Sequence, residues 1–248
     1  MQQDILAQSV SQVYPIGLRL AKDDRVFRYC QVGQALGGLA RLAINANFAP
    51  GCTAHVNEDG FEGAIGFVAL IGATYLDIAD TAARAANFYQ GGKLIVYGTT
   101  IFHQHHIVKS DAGDGAKVRV YLSEPLAVEN ITIAMGCTAY RSPYSDVKQA
   151  GSTNTGFETF VGLPLIPVTI NWFAWLQTKG LCAVTPTGGT WPGGAVNLRS
   201  VYANPADGTL QPATISDPSA GFQKVGDLMT ATVNAYGDLL IKLDLDPD

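Results

Sequence analysis

Residues 87–126, NFYQGGKLIVYGTTIFHQHHIVKSDAGDGAKVRVYLSEPL, predict three consecutive antiparallel strands. The strands cover residues 93–97, 103–110 and 117–122, because each run is rich in β-branched and aromatic residues and is bounded by Gly, Asp or Pro. In the third run every second residue is Val or Leu, while Lys, Arg and Tyr occupy the alternate positions. This period of two is typical of a strand with one face buried and one face wet. The simplest arrangement of the three strands is a meander.

The turn before the third strand is the segment DAGDG at residues 111–115. Its two glycines tolerate a positive φ, and the side chains of Asp111 and Asp114 can close Asx turns. The segment lacks the alternating acids and the final Glu of a twelve-residue calcium loop. It therefore predicts a hairpin turn, without a calcium ion.

Short segments with strand composition recur through the rest of the chain. They are separated by Gly, Pro and Asp at roughly ten-residue spacing, as in β-sandwiches and β-barrels. The only segment with a helical pattern, residues 81–88, is long enough for two turns at most. The further predicted strands are residues 25–32, 41–48, 65–71, 74–78, 128–135, 168–177, 182–185, 195–198, 228–233 and 239–243. The pattern predicts an all-β fold, an antiparallel sandwich or barrel.

Composition also predicts a division of the chain. We expect an extended N-terminal arm at residues 1–24, a first β unit at 25–137, a polar loop or linker at 138–160 and a second β unit at 161–248. The arm is apolar, yet Pro15 and Gly17 interrupt any helix that could bury it. We therefore expect it to lie against a neighbouring subunit.

Charge and hydropathy exclude several classes of partner. Charged residues make up 15% of the chain, below the roughly 25% of average soluble domains, and the net charge is −5. Lys and Arg form no run, so nucleic acid is not an expected partner. No stretch of the sequence approaches the ~18 consecutive apolar residues of a membrane helix. The first residues also lack the basic segment followed by an apolar segment that is typical of a signal peptide. We expect synthesis in a cytoplasm and no contact with a membrane.

The four cysteines are predicted to be unpaired thiols. Cys30, Cys52, Cys137 and Cys182 are widely spaced and form no CxxC pair. This spacing indicates neither a zinc site nor a disulfide framework.

The sequence HQHH contains the only cluster that suggests a metal. His103 and His105 would share one face of a strand and could donate two imidazoles, with His106 beside them. No third and fourth ligand lies close in sequence, although Asp111 or Asp114 could approach if the hairpin folded back. We predict histidines on an exposed face and no metal site.

A group of carboxylates suggests catalysis only weakly. Glu58, Asp59 and Glu62 lie near two glycines, and paired acids serve glycoside hydrolysis. No aromatic platform for a sugar adjoins them, so an exposed acidic loop is the better interpretation. The chain also lacks GxSxG, phosphate-loop and HExxH motifs, and we predict no catalytic residue and no cofactor.

The tryptophans are the remaining candidates for a binding site. Trp172, Trp175 and Trp191 could line a sugar-binding groove, but the first two would fall on opposite faces of a regular strand. Core packing is the predicted role for at least one of them.

Four blocks of sequence resemble a known class of proteins. In order along the chain they are FRYC at residues 27–30, NFYQGGKLIVYG at 87–98, YLSEPL at 121–126 and FAWLQTKGLCAV at 173–184. Together they resemble the head decoration, or cement, proteins of tailed bacteriophages. The similarity covers most of residues 25–184.

This resemblance implies a structural role without catalysis. The expected protein binds the exterior of a virion capsid in many identical copies, contacts the major capsid protein, forms homo-oligomers and stabilises the shell by bridging its subunits. An alternative of another class is a carbohydrate- or receptor-binding virion appendage that uses exposed Trp and Tyr residues. A hydrolase built on the Glu58, Asp59 and Glu62 loop is a third, weaker hypothesis.

Overall fold

The computed structural model describes residues 4–36, 43–45, 60–149, 159–184, 199–203, 210–212, 223–229 and 240–246. Every regular element in these ranges is a β-strand, and the strands pair antiparallel. The predicted all-β fold is therefore confirmed. Within the same ranges there is no helix that could cross a membrane.

The chain divides into two compact units, and the second is inserted into the first. Unit 1 comprises Met1–Ala49 and Tyr144–Asp248, and unit 2 comprises Pro50–Pro143.

Unit 1 is built on a ten-stranded sheet. Its strands are β1 Arg19–Lys22, β2 Arg25–Gln31, β3 Ala43–Asn45, β10 Lys148–Gln149, β11 Thr159–Pro164, β12 Phe173–Ala183, β13 Ser200–Ala203, β14 Leu210–Pro212, β15 Lys224–Leu228 and β16 Leu240–Asp244. The sheet order is β10-β3-β11-β12-β16-β15-β13-β14, with β2 pairing both β1 and β12. β12 is the longest strand and pairs β2, β11 and β16 along its length. The aromatic segment predicted at 168–177 thus provides the central strand of this unit, shifted toward the C-terminus.

The N-terminal segment, residues 4–22, lies on unit 1 itself. Ile5 and Ile16 are buried against Tyr29, Phe173 and Trp175. The segment is a series of turns and bends that ends in β1, and its own unit covers these side chains without a neighbouring subunit. The prediction overlooked that a chain without a helix can still bury single side chains on a sheet.

A buried ion pair fixes this segment to the C-terminal end of the unit. Arg28 Nε and Nη2 donate to Asp246 Oδ2 and Oδ1 at 3.0 and 2.7 Å, and Arg28 Nη1 donates to the Gly17 carbonyl at 3.0 Å. Arg19 Nε lies 3.6 Å from Asp246 Oδ2. The carboxylate raises the pKa of Arg28 against the opposing effect of its burial.

Unit 2 is a small barrel. Its strands are β4 Gly60–Ala64, β5 Tyr75–Ile78, β6 Lys93–Tyr97, β7 Phe102–Ser110, β8 Val118–Leu122 and β9 Gly136–Tyr140, in the sheet order β4-β9-β6-β7-β8-β5. The edge strands meet, because Ile65 pairs with Ile78, the Gly66 amide donates to the Asp77 carbonyl and the Ala79 amide donates to the Ala64 carbonyl. Closing the sheet in this way leaves few unpaired backbone groups at its edges.

The barrel interior follows from the alternation of residues along its strands. Val118, Val120 and Leu122 of β8 are buried, whereas Arg119 and Tyr121 are only partly covered. This confirms the predicted polarity of the third strand, and the neighbouring β6, β7 and β8 confirm the meander.

Two predicted strands of unit 2 are loops. Residues 65–71 and 128–135 each form only isolated bridges, among them Ala69 with Ile131. Both segments are apolar, and their composition favours strands. In the structure they form the loop that follows β4 and the loop that precedes β9, at one end of the barrel. The strand that follows, β9, falls where a linker was predicted.

The predicted unit boundaries are corrected accordingly. β2 comes before the barrel in the sequence and pairs with β12, which comes after it. Residues 25–31 therefore belong to the same unit as the C-terminal half of the chain. The predicted linker at 138–160 begins inside β9, and Val147 bridges to Val32 in unit 1. Local composition does not encode which distant strands pair, and the linear order of two units was inferred from composition alone.

Candidate functional site

Five apolar side chains lie together at one end of the barrel and face solvent. They are 53–63% exposed, and we call them the apolar tip: Val68, Leu70, Ile71, Val128 and Ile133. The tip is formed by the β4–β5 loop and the β8–β9 loop. These loops lie at the opposite end of the barrel from Gly60 and Tyr140, where the chain enters and leaves it.

Backbone hydrogen bonds hold the two loops of the tip together. The amides of Ala69 and Ile131 each donate to the other residue's carbonyl, at 2.9 and 2.8 Å. The Ile71 amide donates to Asn130 Oδ1 at 2.9 Å. Ala69 and Ile131 are buried, so the side chains next to Ala69, Val68 and Leu70, point outward. The apolar tip is thus an ordered surface.

A third loop, residues 98–101, is tied to the tip through Glu129. Its carboxylate accepts hydrogen bonds from Thr99 Oγ1 at 2.6 Å, from the Thr100 amide at 3.3 Å and from His103 Nε2 at 3.0 Å. These bonds, with that from Thr99 the largest cause, lower the pKa of Glu129 to about 2. Gly98 makes room for this contact, since a Cβ there would lie 2.2 Å from Glu129 Oε1.

The electrostatic character of the tip is simple. The three loops, residues 65–74, 98–101 and 123–135, contain no Lys or Arg, and their only charged residues are Glu124 and Glu129. Glu124 is exposed, whereas Glu129 is engaged as described above. Lys117 Nζ lies 4.1 Å from the centre of the Phe67 ring in the first loop, but it is paired with Asp77 at 2.9 Å. The surface therefore offers apolar contact, an exposed carboxylate at Glu124 and a cation that already has a counter-ion.

Of the three histidines in HQHH, His106 is exposed as predicted and His103 is not. His103 is 4% exposed and, with the partly covered His105, faces the barrel interior beside Val96 and Leu94. The two rings stack with centroids 6.1 Å apart, and His105 Nε2 has no hydrogen-bond partner. Only His106 faces outward. The prediction of a common exposed face was wrong for His103 because a carboxylate from a loop distant in sequence satisfies its buried Nε2.

The predicted turn at residues 111–115 and one of the three predicted carboxylates are among the described residues. Asp114 Oδ1 accepts from the amides of Ala116 and Lys117, and Gly115 has φ of +86°, which confirms the predicted Asx turn. Glu62 is exposed on β4, whereas Glu58 and Asp59 lie outside the described residues. Among described residues, no three His, Cys, Asp or Glu side chains are grouped as metal ligands would be.

The cysteines and tryptophans lie in the core as far as they are described. Cys30, Cys137 and Cys182 are free and buried, and burial raises the pKa of each thiol to about 12. Cys52 and Trp191 lie outside the described residues. Trp175 packs in the same cluster as Tyr14 and Tyr29, and Trp172 packs against a different cluster, which confirms opposite faces and a core role for Trp175.

Two further charged clusters are structural. Asp77 accepts from Lys117 Nζ and from Arg119 Nε and Nη2. In the second cluster Tyr89 and Arg84 both donate to Asp80, whose carboxylate is buried. Hydrogen bonds from these donors lower the pKa of both carboxyls despite their burial. Each carboxylate is saturated by cations or hydroxyls of its own unit, so neither is available as a general base.

The tip could have been recognised in the sequence by its lack of alternation. Residues 67–71 read FVALI between two glycines, with no polar residue at every second position. A strand of a small barrel has one wet face and should alternate. The unbroken apolar run therefore indicated an apolar surface or a fully buried strand, and the structure shows the first.

Comparisons of the chain with protein-family models, with curated proteins and with solved structures found no match.

Proposed function

We propose that this protein is a capsid decoration, or cement, protein of a tailed bacteriophage. It binds the outside of the shell in many copies and stabilises the shell by bridging capsid subunits. The observation that carries the proposal is the ordered apolar tip of the barrel.

An ordered surface of exposed aliphatic side chains favours association with another protein. Burial of a whole aliphatic side chain contributes about 1.5–3 kcal/mol, and the tip side chains are about half exposed. Each would therefore gain about 1 kcal/mol on docking. Because loops 65–74 and 123–135 are already tied together, little ordering entropy opposes this gain.

The charge of the tip favours a protein partner over nucleic acid or membrane. Phosphate backbones and anionic lipids are bound by Lys and Arg. The tip loops contain neither, and Lys117, which lies against Phe67, is paired with Asp77. The partner that fits is an apolar area on the major capsid protein. The exposed carboxylate of Glu124 suits basic residues around that area.

Bridging requires a second contact surface. The outer side of the N-terminal segment offers Leu6, Val10 and Val13, which are exposed although Ile5 and Ile16 beside them are buried. A contact there, with the shell or with another copy, would let one chain join two subunits. Many weak contacts on one particle then combine through multivalency.

Low charge and the resemblance to phage head decoration proteins support the same function. A protein that covers a shell needs extensive uncharged surface, and charged residues are only 15% of this chain. The sequence blocks at residues 27–30, 87–98, 121–126 and 173–184 carry the resemblance.

The experiment that tests this function measures binding to empty shells. Shells assembled from the major capsid protein of the phage that encodes this chain are mixed with purified chain and sedimented. We expect saturable binding, and the double substitution Leu70→Ser with Ile133→Ser should weaken it at least about tenfold. Met229→Ser, which changes a 50% exposed apolar residue of unit 1, is the control and should bind normally.

Two results would contradict the proposal. One is that the wild-type chain fails to bind such shells. The other is that the tip variant binds as well as the control while both show unchanged melting temperatures.

A further inference from the structure

The outer face of strands β9, β6 and β7 carries a second group of exposed side chains. In the sheet register Tyr97 lies opposite Phe102 and Gly136, and Lys93 lies opposite Tyr140. Since residues at every second position share a face, all of these side chains are on the outside of the barrel. We call Tyr97, Phe102 and Tyr140 the aromatic face.

The three rings are ordered and open to solvent. Phe102 is 71% exposed, and Tyr97 and Tyr140 are 41% and 38% exposed. Tyr97 and Phe102 meet edge to face with centroids 5.7 Å apart. Exposed aromatic rings on regular strands present flat apolar surfaces at fixed positions, which is the geometry that a stacking ligand needs.

Gly136 opens the sheet beside Tyr97. A Cβ at this position would come within 3.2 Å of the Tyr97 ring, so the glycine allows the ring to lie close to the neighbouring strand. Tyr97 and Thr138 are then joined by a hydrogen bond of 2.8 Å between their hydroxyls. This bond fixes the orientation of the ring.

Two exposed polar side chains lie in the row between the rings. Glu62, Thr138, Ile95 and Gln104 form this row across β4, β9, β6 and β7. Thr138 is buried and bonded to Tyr97, whereas Glu62 and Gln104 are exposed. Burial, followed by Tyr97 and Glu62, raises the pKa of Tyr140. One carboxylate and one amide can therefore exchange hydrogen bonds with ligand hydroxyls beside the rings.

We propose that the aromatic face binds a neutral oligosaccharide. The apolar C–H faces of sugar rings stack on aromatic side chains, and their hydroxyls pair with the polar groups between them. Tyr97 and Tyr140 are on adjacent strands and four residues apart in register, about 13 Å along the sheet. That length suits a chain of sugars better than a single ring.

The charge of this face distinguishes a sugar from a nucleic acid. Single strands also stack on aromatic side chains, but their binding requires a basic groove along the backbone. Here the cation Lys93 is offset by the anion Glu62, and neither is part of a charged stripe. A neutral ligand fits this balance.

The test is a titration of the isotope-labelled full chain with neutral hexasaccharides, followed by NMR. The probes are maltohexaose, cellohexaose, mannohexaose and chitohexaose. We expect saturating shifts for at least one probe, confined to residues 60–64, 93–97, 102–106 and 136–140.

Variants then assign the binding to individual rings. Phe102→Ala and Tyr140→Ala should each lower the affinity about tenfold, and Tyr97→Phe, which keeps the ring but loses the hydroxyl, should have a smaller effect. Ile133→Ala, at the apolar tip, is the control and should bind normally. Because the tip and the rings are changed separately, this proposal and the capsid proposal can fail independently.

Three outcomes would overturn the proposal. These are the absence of saturable binding to any of the four sugars, binding that the ring variants leave unchanged, and displacement of bound sugar by oligodeoxythymidylate. The last would identify a nucleic-acid surface instead.

Discussion

The N-terminal segment and the apolar tip have similar composition, but two side chains of the segment are buried in its own unit. Ile5 and Ile16 are 6% and 7% exposed, whereas Leu6, Val10 and Val13 on the outer side of the segment are 57–71% exposed and the tip residues are 53–63% exposed. The segment runs over the sheet of its own unit and inserts Ile5 and Ile16 into an aromatic cluster. The tip loops turn away from the barrel interior, which Ala69 and Ile131 already fill.

The difference shows that apolar sequence alone does not locate a binding surface. What decides is whether the chain's own core has room for the side chains. In unit 1 the cluster around Tyr29 and Trp175 accepts Ile5 and Ile16. In unit 2 the core is closed, so Leu70 and Ile133 remain outside and depend on a partner for burial.

The largest expected effect comes from removing the ion pair that holds the N-terminal segment. Asp246→Asn leaves the partly buried Arg28 without its counter-ion and should lower the free energy of unfolding of unit 1 by about 3 kcal/mol. Chemical denaturation measures this change. The neighbouring Asp244→Asn is the matched control, because its exposed carboxylate lies 4.0 Å from Lys179 Nζ and should matter by less than about 0.5 kcal/mol. Equal effects of the two substitutions would show that Asp246 does not fix the segment.

A smaller effect separates the buried and exposed sides of the segment. Ile16→Ala removes a buried side chain and should cost about 2 kcal/mol, whereas Val10→Ala, at a 71% exposed position, should change the free energy of unfolding by less than about 0.5 kcal/mol. If both variants are as stable as the wild type, the segment does not pack on unit 1, and the original expectation of an arm that orders against a neighbour regains support.

The smallest effect is a dependence of barrel stability on pH. Burial, followed by the charge of His103, lowers the pKa of His105, and burial followed by Lys93 lowers the pKa of His106. Both pKa values are lower in the folded state than the ordinary 6.5, so the unfolded chain binds protons first and stability is lost as the pH falls below about 6.5.

Replacing both histidines tests this dependence. His105→Gln with His106→Gln should flatten the decrease in melting temperature between pH 7 and pH 5. Asp77, Asp80 and Glu129 have lowered pKa values in the folded state. Their stabilisation is present above the ordinary carboxyl pKa and is lost as the pH falls through the folded-state pKa. These carboxylates therefore act at a lower pH than the histidines. An unchanged pH profile in the double variant would exclude these histidines as the cause.

Local patterns predicted a large part of the fold. The meander of β6, β7 and β8 followed from period-two alternation and from the turn at Asp114 and Gly115, because these are short-range signals. The strand β2 and the core position of Trp175 followed in the same way.

Long-range pairing could not be predicted from such patterns. β2 pairs with β12 across the inserted barrel, and nothing in residues 25–31 specifies a partner so distant in sequence. For the same reason the contact of Glu129 with His103 was missed, and with it the inward orientation of the histidines. The tip was missed because residues 65–71 have the composition of a strand, although they lack its alternation.

The orientation of the barrel on the shell is the central claim, and electron cryomicroscopy of decorated shells tests it most directly. A reconstruction that resolves the strands should place residues 66–74 and 123–135 against the outer surface of the major capsid protein. The apolar tip would then be buried at every occupied position. A reconstruction in which the barrel is present but these loops face solvent, or in which the chain is absent from the shell, would contradict the proposal.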